Sequence, residues 1–169
     1  VREAAGQGAQ YVQTPEMTSL LERDRDAFHA AVSFEADDFA LARFRELAAA
    51  LSIHLHVGSL PIRLAGGGVA NRPFLIGPDG TAVARYDKIH MFDVDLEGGE
   101  SWRESRTFRP GNRAVIADLQ GLRLGLTICY DLRFAHLHRA LAQAGADVLA
   151  VPAAFTRQTG EAHWHTLIR

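Results

Sequence analysis

The sequence has 169 residues, of which 47% are hydrophobic and 22% are charged, and its formal net charge at pH 7 is −2. This length fits one domain with a hydrophobic core. The balanced charge gives no reason to expect a nucleic-acid partner, and no apolar run reaches the roughly 18–20 residues of a membrane span. The single cysteine excludes an internal disulfide framework and favours a reducing, cytoplasmic location.

The first third of the chain predicts alternating helices and strands. Residues 1–5 have the pattern of the last turns of a helix, and residues 9–14 predict a short strand. In residues 35–51, acidic side chains come first and apolar ones recur at helical spacing, which predicts an amphipathic helix. Residues 53–64 alternate between apolar and polar side chains, which is typical of a strand.

Two hairpins and a long irregular segment are predicted in the middle of the chain. Residues 71–90 contain two extended runs joined at Pro78-Asp79-Gly80, which is typical of a hairpin turn. The segment 91–111 carries glycines and a proline and is predicted to be irregular. Residues 112–130 predict a second hairpin that turns at Gln120-Gly121.

The last part of the chain predicts a helix, a strand and the start of another helix. Residues 135–144 have helical spacing and precede Gly145, which suits a left-handed helix cap. The apolar run in residues 146–155 predicts a buried strand, and residues 163–169 start a helical pattern. Taken together, the elements predict a layered α/β or α+β sandwich in which sheets pack against helices.

Three residues are candidates for chemistry, and each also has a simpler interpretation. Cys129 ends an apolar strand and precedes a turn into a helix, so it is either a small buried side chain or a nucleophile at a strand end. Glu16 follows the first strand and is either an exposed loop carboxylate or a functional one. Lys88, on the second strand of the first hairpin, is either an edge-strand charge or a cation held in a pocket.

The segments that contain these residues resemble a known family. TPEM (14–17), RYDKIHMFDVDL (85–96) and GLTICYDLRF (125–134) occur in the order of the three catalytic segments of the nitrilase superfamily, the carbon–nitrogen hydrolases. WRESRTFRPGN (102–112) and VPAAFTRQTGEAHWHTLIR (151–169) extend the similarity, which is greatest to the Nit branch of ω-amidases and deaminated glutathione amidases.

The resemblance implies a four-layer α-β-β-α sandwich that is incomplete in this chain. Members of the family begin with a strand and most of a helix before the position of Val1, and they continue beyond Arg169 with a further C-terminal third. We therefore expect residues 1–169 to form one partial carbon–nitrogen hydrolase domain. Full-length relatives commonly form homodimers, and we expect the same of the whole protein.

The resemblance also implies the roles of the candidate residues. Cys129 would be the nucleophile, Glu16 the general base and Lys88 the third member of the triad, while Glu104 would orient the substrate or assist the base. A thiol needs a base to become a thiolate, and attack on an amide carbonyl creates an oxyanion that needs fixed hydrogen-bond donors. Lys88 and the backbone N–H that follows Cys129 could supply those donors.

Four further residues are predicted to contact the substrate: Arg133, Phe155, Thr159 and Tyr130. Arg133 would bind a substrate carboxylate as a planar two-pronged donor. The alternative to this substrate-binding role is that Arg133 forms a structural salt bridge to Asp131 or to another neighbour. Phe155 belongs to the wall or the core in either interpretation.

The predicted activity is that of a thiol amidohydrolase that releases ammonia from the terminal amide of a small carboxylated substrate and needs no cofactor. Alternatives are an N-carbamoyl hydrolase or a nitrilase of the same family, or an inert fragment in which Cys129 only packs the core. A metal protein is a weaker alternative. His54 and His56 share one strand face, but no cysteine or acidic cluster lies near them in the sequence, so no metal site is predicted.

Overall fold

The computed structural model describes residues 1–95, 99 and 101–169, in which helices lie before and after a long run of consecutive strands. The first half contains α1 (Arg2–Gly6), β1 (Tyr11–Gln13), α2 (Arg25–Ala31), β2 (Ser33–Phe34), α3 (Phe39–Leu51), β3 (His54–Arg63), β4 (Val69–Ile76) and β5 (Ala82–Arg85). The second half contains β6 (Asp93–Asp95), β7 (Ser101–Arg103), β8 (Val115–Leu119), β9 (Leu122–Leu126), α4 (Ala135–Gln143), β10 (Val148–Ala150), α5 (Arg157–Thr159), a π-helical turn (Gly160–Trp164) and α6 (His165–Ile168). Short 3₁₀ turns occupy Glu35–Asp37, Glu104–Arg106 and Cys129–Arg133.

The strands form two main sheets and one separate pair. In the five-stranded sheet, β3 pairs in parallel with β1 and β2 and antiparallel with β4, which continues antiparallel to β5. In the three-stranded sheet, β9 lies between β8, which is antiparallel to it, and β10, which is parallel. β6 and β7 form an antiparallel pair of their own.

Alternating side chains of the strands build two hydrophobic cores. One core lies between the five-stranded sheet and α3 and includes Leu55, Phe74 and Leu41. The other lies between the two sheets, where Leu75 of β4 packs with Leu124 of β9. Since Leu141 of α4 is close to Gly125 on the outer side of β9, the layer order is α3, five-stranded sheet, three-stranded sheet, α4, as the resemblance to the nitrilase superfamily implied.

Two helices differ from the prediction. The helix expected at 35–51 begins at Phe39, because the Asp38 side chain accepts a hydrogen bond from a backbone N–H in the first turn and caps the helix there. α2 was not predicted. It begins after Asp24, which caps it in the same way, and it buries Phe28.

Three extended segments also differ. The segment 91–111, predicted to be irregular, contains β6 and β7, and its residues 96–98 and 100 lie outside the described part of the chain. Lys88 lies three residues beyond the end of β5 and not within the strand. The strand predicted at 146–155 shortens to β10, whose Val148 and Leu149 are exposed, because β10 is an edge strand of its sheet.

Within the described ranges, no helix combines the length and hydrophobicity needed to cross a lipid bilayer.

Two glycines let other backbone segments approach closely beside the candidate site residues. A Cβ atom on Gly58 of β3 would lie 2.1 Å from the Thr14 carbonyl oxygen and 2.3 Å from that of Pro15, directly before Glu16. A Cβ atom on Gly111 would lie 2.2 Å from the carbonyl oxygen of Asp87, directly before Lys88. The absence of a side chain at these two positions therefore sets where Glu16 and Lys88 enter the site.

We expect Gly58→Ala to lower the free energy of unfolding by about 1–3 kcal/mol, since the new methyl group must displace the backbone at Thr14 and Pro15. Urea unfolding measures the change. Gly66→Ala is the matched control, because a Cβ atom there would meet nothing within 4 Å. Equal stability of the two variants would contradict the close packing at Gly58.

Candidate active site

Cys129 lies just beyond the end of β9, at the first residue of the 3₁₀ turn Cys129–Arg133. Its φ of 45° is in the left-handed region, which is uncommon for a residue with a Cβ atom. The backbone N–H of Cys129 donates to the Pro152 carbonyl oxygen at 2.9 Å, which links the turn to the segment after β10. The chain therefore reverses sharply at the thiol instead of extending the strand.

Glu16 is a buried carboxylate that three segments hold in place. Its Oε1 accepts hydrogen bonds from Lys88 Nζ at 2.8 Å and from Asn71 Nδ2 at 3.0 Å. Its Oε2 accepts one from the Ala154 backbone N–H at 3.1 Å. With 7% of its surface exposed, Glu16 is not a solvated loop carboxylate.

Lys88 is a buried cation between two carboxylates. Its Nζ donates to Glu16 Oε1 and also to Glu104, at 3.0 Å to Oε1 and 2.9 Å to Oε2. Burial alone would lower the pKa of Lys88, but the charges of Glu16 and Glu104 outweigh it and raise this pKa above its usual value. Lys88 is therefore an ammonium ion at neutral pH, held in a pocket and not exposed at a sheet edge.

Glu104 enters the same cluster from the 3₁₀ turn Glu104–Arg106. Its Oε2 also accepts a hydrogen bond from the Phe92 backbone N–H at 2.7 Å. The structure thus brings Glu16, Lys88 and Glu104 into direct contact, although they are far apart in the sequence.

Asn71 of β4 is a site residue that the sequence analysis missed. Its Nδ2 donates to Glu16 Oε1 at 3.0 Å and to Glu104 Oε1 at 3.1 Å, so it bridges the same two carboxylates as Lys88. Its carbonyl oxygen accepts from the Lys88 backbone N–H at 3.0 Å. The sequence does show a polar amide within an apolar strand, which could have marked Asn71 as functional. Its hydrogen-bond partners could not be predicted, because they depend on how the strands pair.

The thiol of Cys129 faces the same carboxylate. Burial raises the pKa of the Cys129 thiol above its usual value, and the negative charge of Glu16 raises it further. Lys88 and the Ala154 backbone N–H oppose this shift without reversing it. Cys129 is therefore a protonated thiol at neutral pH, next to a carboxylate that can accept its proton.

These residues line one cavity of about 780 Å³. Cys129, Glu16, Lys88 and Glu104 are all among its lining residues. Three of the four predicted substrate-contacting residues also line the cavity, namely Tyr130, Phe155 and Thr159.

Arg133, the fourth, is not among the described residues that line the cavity. Its Nη2 hydrogen-bonds to His163 Nδ1 at 2.8 Å, and its guanidinium carbon lies 5.6 Å from the centroid of the Tyr130 ring. Asp131, the alternative partner considered for Arg133, instead accepts hydrogen bonds from Tyr86 and His90.

Among the residues that the structure describes, no group of three or more His, Cys, Asp or Glu side chains could hold a metal ion. His54 and His56 are both buried in β3, and the Tyr11 hydroxyl group and His56 Nδ1 are hydrogen-bonded at 2.9 Å.

The sequence model of the carbon–nitrogen hydrolase family matches residues 1–169. The chain belongs to the carbon–nitrogen hydrolase family. This membership confirms the resemblance that the three ordered segments indicated.

Two curated members of the carbon–nitrogen hydrolase family show how much of a relative this chain represents. It is 42% identical over 165 residues to the deaminated glutathione amidase of Yersinia enterocolitica, covering 96% of this chain and 57% of the relative. It is 40% identical over 169 residues to the human omega-amidase NIT2, covering 100% of this chain and 60% of the relative. The chain therefore spans less than two thirds of either protein.

Solved structures of carbon–nitrogen hydrolases share the fold. The Caenorhabditis elegans NitFhit protein aligns with a TM-score of 0.86 at 32% identity, covering 98% of this chain and 41% of that one. A mutant of the amidase from Nesterenkonia sp. AN1 aligns with a TM-score of 0.75 at 29% identity, covering 95% of this chain and 60% of that one. That structure shows Michael addition of acrylamide at the active-site cysteine of the Nesterenkonia enzyme.

We expect the folded protein to show no thiolate absorbance at a pH of about 8.5, where an ordinary cysteine is half ionised. The raised pKa of Cys129 keeps the folded thiol protonated there, and thiolate appears only at more alkaline pH. Ultraviolet titration of this single cysteine measures the transition. The unfolded protein in urea is the control and should titrate normally, whereas a thiolate in the native protein at neutral pH would contradict the assigned direction.

Proposed function

We propose that the protein is a thiol amidohydrolase that hydrolyses the terminal amide of a small carboxylated substrate and releases ammonia. The observation that carries the proposal is the contact of a buried ammonium with two carboxylates beside a lone thiol, all lining one cavity large enough for a small molecule. The names of the related amidases support the same class of reaction.

In the first half of the reaction, Cys129 forms a thioester. The Cys129 Sγ attacks the amide carbonyl carbon while its proton moves to Glu16, which is beside it. The carbonyl oxygen becomes an oxyanion that the Lys88 ammonium and the backbone N–H of Tyr130 stabilise. Glu16 then passes the proton to the departing nitrogen, the C–N bond breaks and ammonia leaves.

In the second half, water hydrolyses the thioester. Glu16 takes a proton from the water molecule, whose oxygen attacks the thioester carbon through a second oxyanion. The C–S bond breaks, the proton returns from Glu16 to Sγ and the carboxylic acid is released. Lys88 remains protonated throughout, because its two carboxylate neighbours raise its pKa, and both oxygens of Glu104 accept hydrogen bonds from its ammonium.

The cavity wall suits a short chain with an anionic end. Aromatic side chains line it at Phe92, Tyr130 and Phe155, and arginines line it at Arg23, Arg25, Arg103 and Arg106. Omega-amidase and deaminated glutathione amidase are the names of the curated relatives. We therefore place the scissile amide at Cys129 and the substrate carboxylate toward the arginines.

We also propose Arg133 as an anchor of that carboxylate. Its Nε is buried and has no partner among the described residues, and the Tyr130 ring beneath its guanidinium lines the cavity. A planar guanidinium can bind a carboxylate with two parallel hydrogen bonds.

We also propose a cytoplasmic location and a homodimeric assembly for the whole protein. The lone cysteine favours a cytoplasmic location. The family resemblance supports a homodimer of the whole protein, with a small-molecule amide as its other partner. Sedimentation of the whole protein at several concentrations tests the assembly.

We expect Cys129→Ala to abolish ammonia release from an α-keto acid ω-amide, and Glu16→Gln to reduce it by about 10²–10⁴-fold, because the proton acceptor is lost. Glu22→Gln is the matched control, since Glu22 also lines the cavity but lies on its exposed rim. Wild-type activity of Cys129→Ala would overturn the mechanism. Carbon dioxide release from an N-carbamoyl compound, or turnover of a nitrile, would instead favour the alternative activities.

We expect Arg133→Gln to raise KM for a carboxylated amide about tenfold, the equivalent of about 1.4 kcal/mol of binding, and to leave KM for a neutral amide of similar length unchanged. Steady-state kinetics with both substrates measure the difference. Arg139→Gln, at an exposed position of α4, is the control. If Arg106→Gln raises KM and Arg133→Gln does not, the carboxylate is bound at the cavity rim.

A further inference from the structure

Asp131 is a charged side chain in the interior of the protein, with no exposed surface. Its Oδ2 accepts hydrogen bonds from the Tyr86 hydroxyl group at 2.8 Å and from the Ile128 backbone N–H at 2.9 Å. Its Oδ1 accepts from the His90 backbone N–H at 3.0 Å and is 2.7 Å from His90 Nδ1. A buried carboxylate is tolerated only with such complete hydrogen bonding.

The partners of Asp131 flank the two central residues of the site. Tyr86 and His90 lie two residues before and two residues after Lys88, and Ile128 directly precedes Cys129. One carboxylate thus joins the segment that carries the cation to the turn that carries the thiol.

The same carboxylate closes the turn around Cys129. The Asp131 backbone N–H donates to the Ile128 carbonyl oxygen at 2.9 Å, while the Ile128 N–H donates to the Asp131 side chain. Between these reciprocal bonds, Cys129 has its left-handed φ of 45°. This conformation costs about 1–2 kcal/mol for a residue with a Cβ atom, so the turn needs such bonds to persist.

Burial and the charge of Asp131 both raise the pKa of the Tyr86 hydroxyl group, which therefore remains a protonated donor. The Tyr86 oxygen in turn accepts a hydrogen bond from the Ile89 backbone N–H at 3.2 Å, next to Lys88. The connection from the thiol turn to the cation segment is therefore continuous.

We propose that Asp131 is a positioning residue that holds the Cys129 thiol in place relative to Lys88 and Glu16. The inference rests on the proposed roles of these three residues in amide hydrolysis. Asp131 acts through the backbone on both sides, so its loss should change the reactivity of the thiol and kcat much more than KM.

The test is the rate at which iodoacetamide alkylates Cys129, followed by mass spectrometry, together with kcat and KM for the amide. The lone cysteine makes the alkylation rate specific to this site. Asp131→Asn keeps the size of the side chain, but its NH₂ group must face the N–H of either Ile128 or His90. We expect alkylation and kcat to fall by about 10- to 100-fold, since small misplacements of reacting groups have effects of this size, and KM to stay within about twofold.

Asp118→Asn is the matched control, because Asp118 also accepts a turn N–H, from Gly121, but is exposed and pairs with Arg123, at the end of β9 opposite to the one that leads to Cys129. It should leave both rates unchanged.

Two milder variants keep the test decisive if Asp131→Asn does not fold. Tyr86→Phe and His90→Phe each remove one side-chain donor to Asp131, and a phenyl ring at 90 can keep the stacking of His90 on Phe134. We expect each folded variant to alkylate several-fold more slowly, and the double variant to be less than additive because both donors share one carboxylate.

Wild-type alkylation rates and kcat in these folded variants would overturn the positioning role. If the wild-type protein hydrolyses no amide but the variants still slow alkylation, only the proposed function fails.

Discussion

The site depends on one buried ammonium, that of Lys88, between the carboxylates of Glu16 and Glu104. Burying two acidic side chains near each other costs hydration, and the Lys88 ammonium offsets part of this cost because it donates hydrogen bonds to both. Asn71 adds a neutral donor to the same two oxygens that face Lys88. The ion cluster therefore ties the end of β1, β4, the segment after β5 and the Glu104–Arg106 turn to one another.

The surroundings of Cys129 determine the protonation state of its thiol. Burial is the main reason that the pKa of Cys129 rises although the Lys88 ammonium is near, and the neighbouring Glu16 raises it further. In the proposed mechanism, the resting site holds the neutral thiol, and a proton transfer from Cys129 to Glu16 over a short distance generates the nucleophile during attack. A thiolate–imidazolium pair of the kind found in other thiol enzymes is not needed.

Much of the fold follows from local patterns, and the site follows in part. Apolar side chains at every second position, around Leu55 and again at Leu124 and Leu126, predicted strands. The order of three segments that resemble the family predicted that Glu16, Lys88 and Cys129 belong to one site. Asn71 and Asp131 were missed as members of the site because their partners lie up to 55 residues away and depend on strand pairing and turn geometry. The contact of Arg133 with His163 could not be predicted either, since it requires the packing of the C-terminal helical segment on the thiol turn.

The position of Cys129 has a practical consequence. It is the only cysteine in 169 residues and it lines the cavity. The amount of a small electrophile that the protein takes up would therefore give the fraction of molecules with a reactive Cys129, since no other thiol of the chain competes for the reagent. A chloroacetamide with a variable tail would also explore the aromatic and arginine-lined wall, since every adduct is attached at the same atom. Comparison of tail lengths would then measure how far from Sγ the cavity prefers a negative charge.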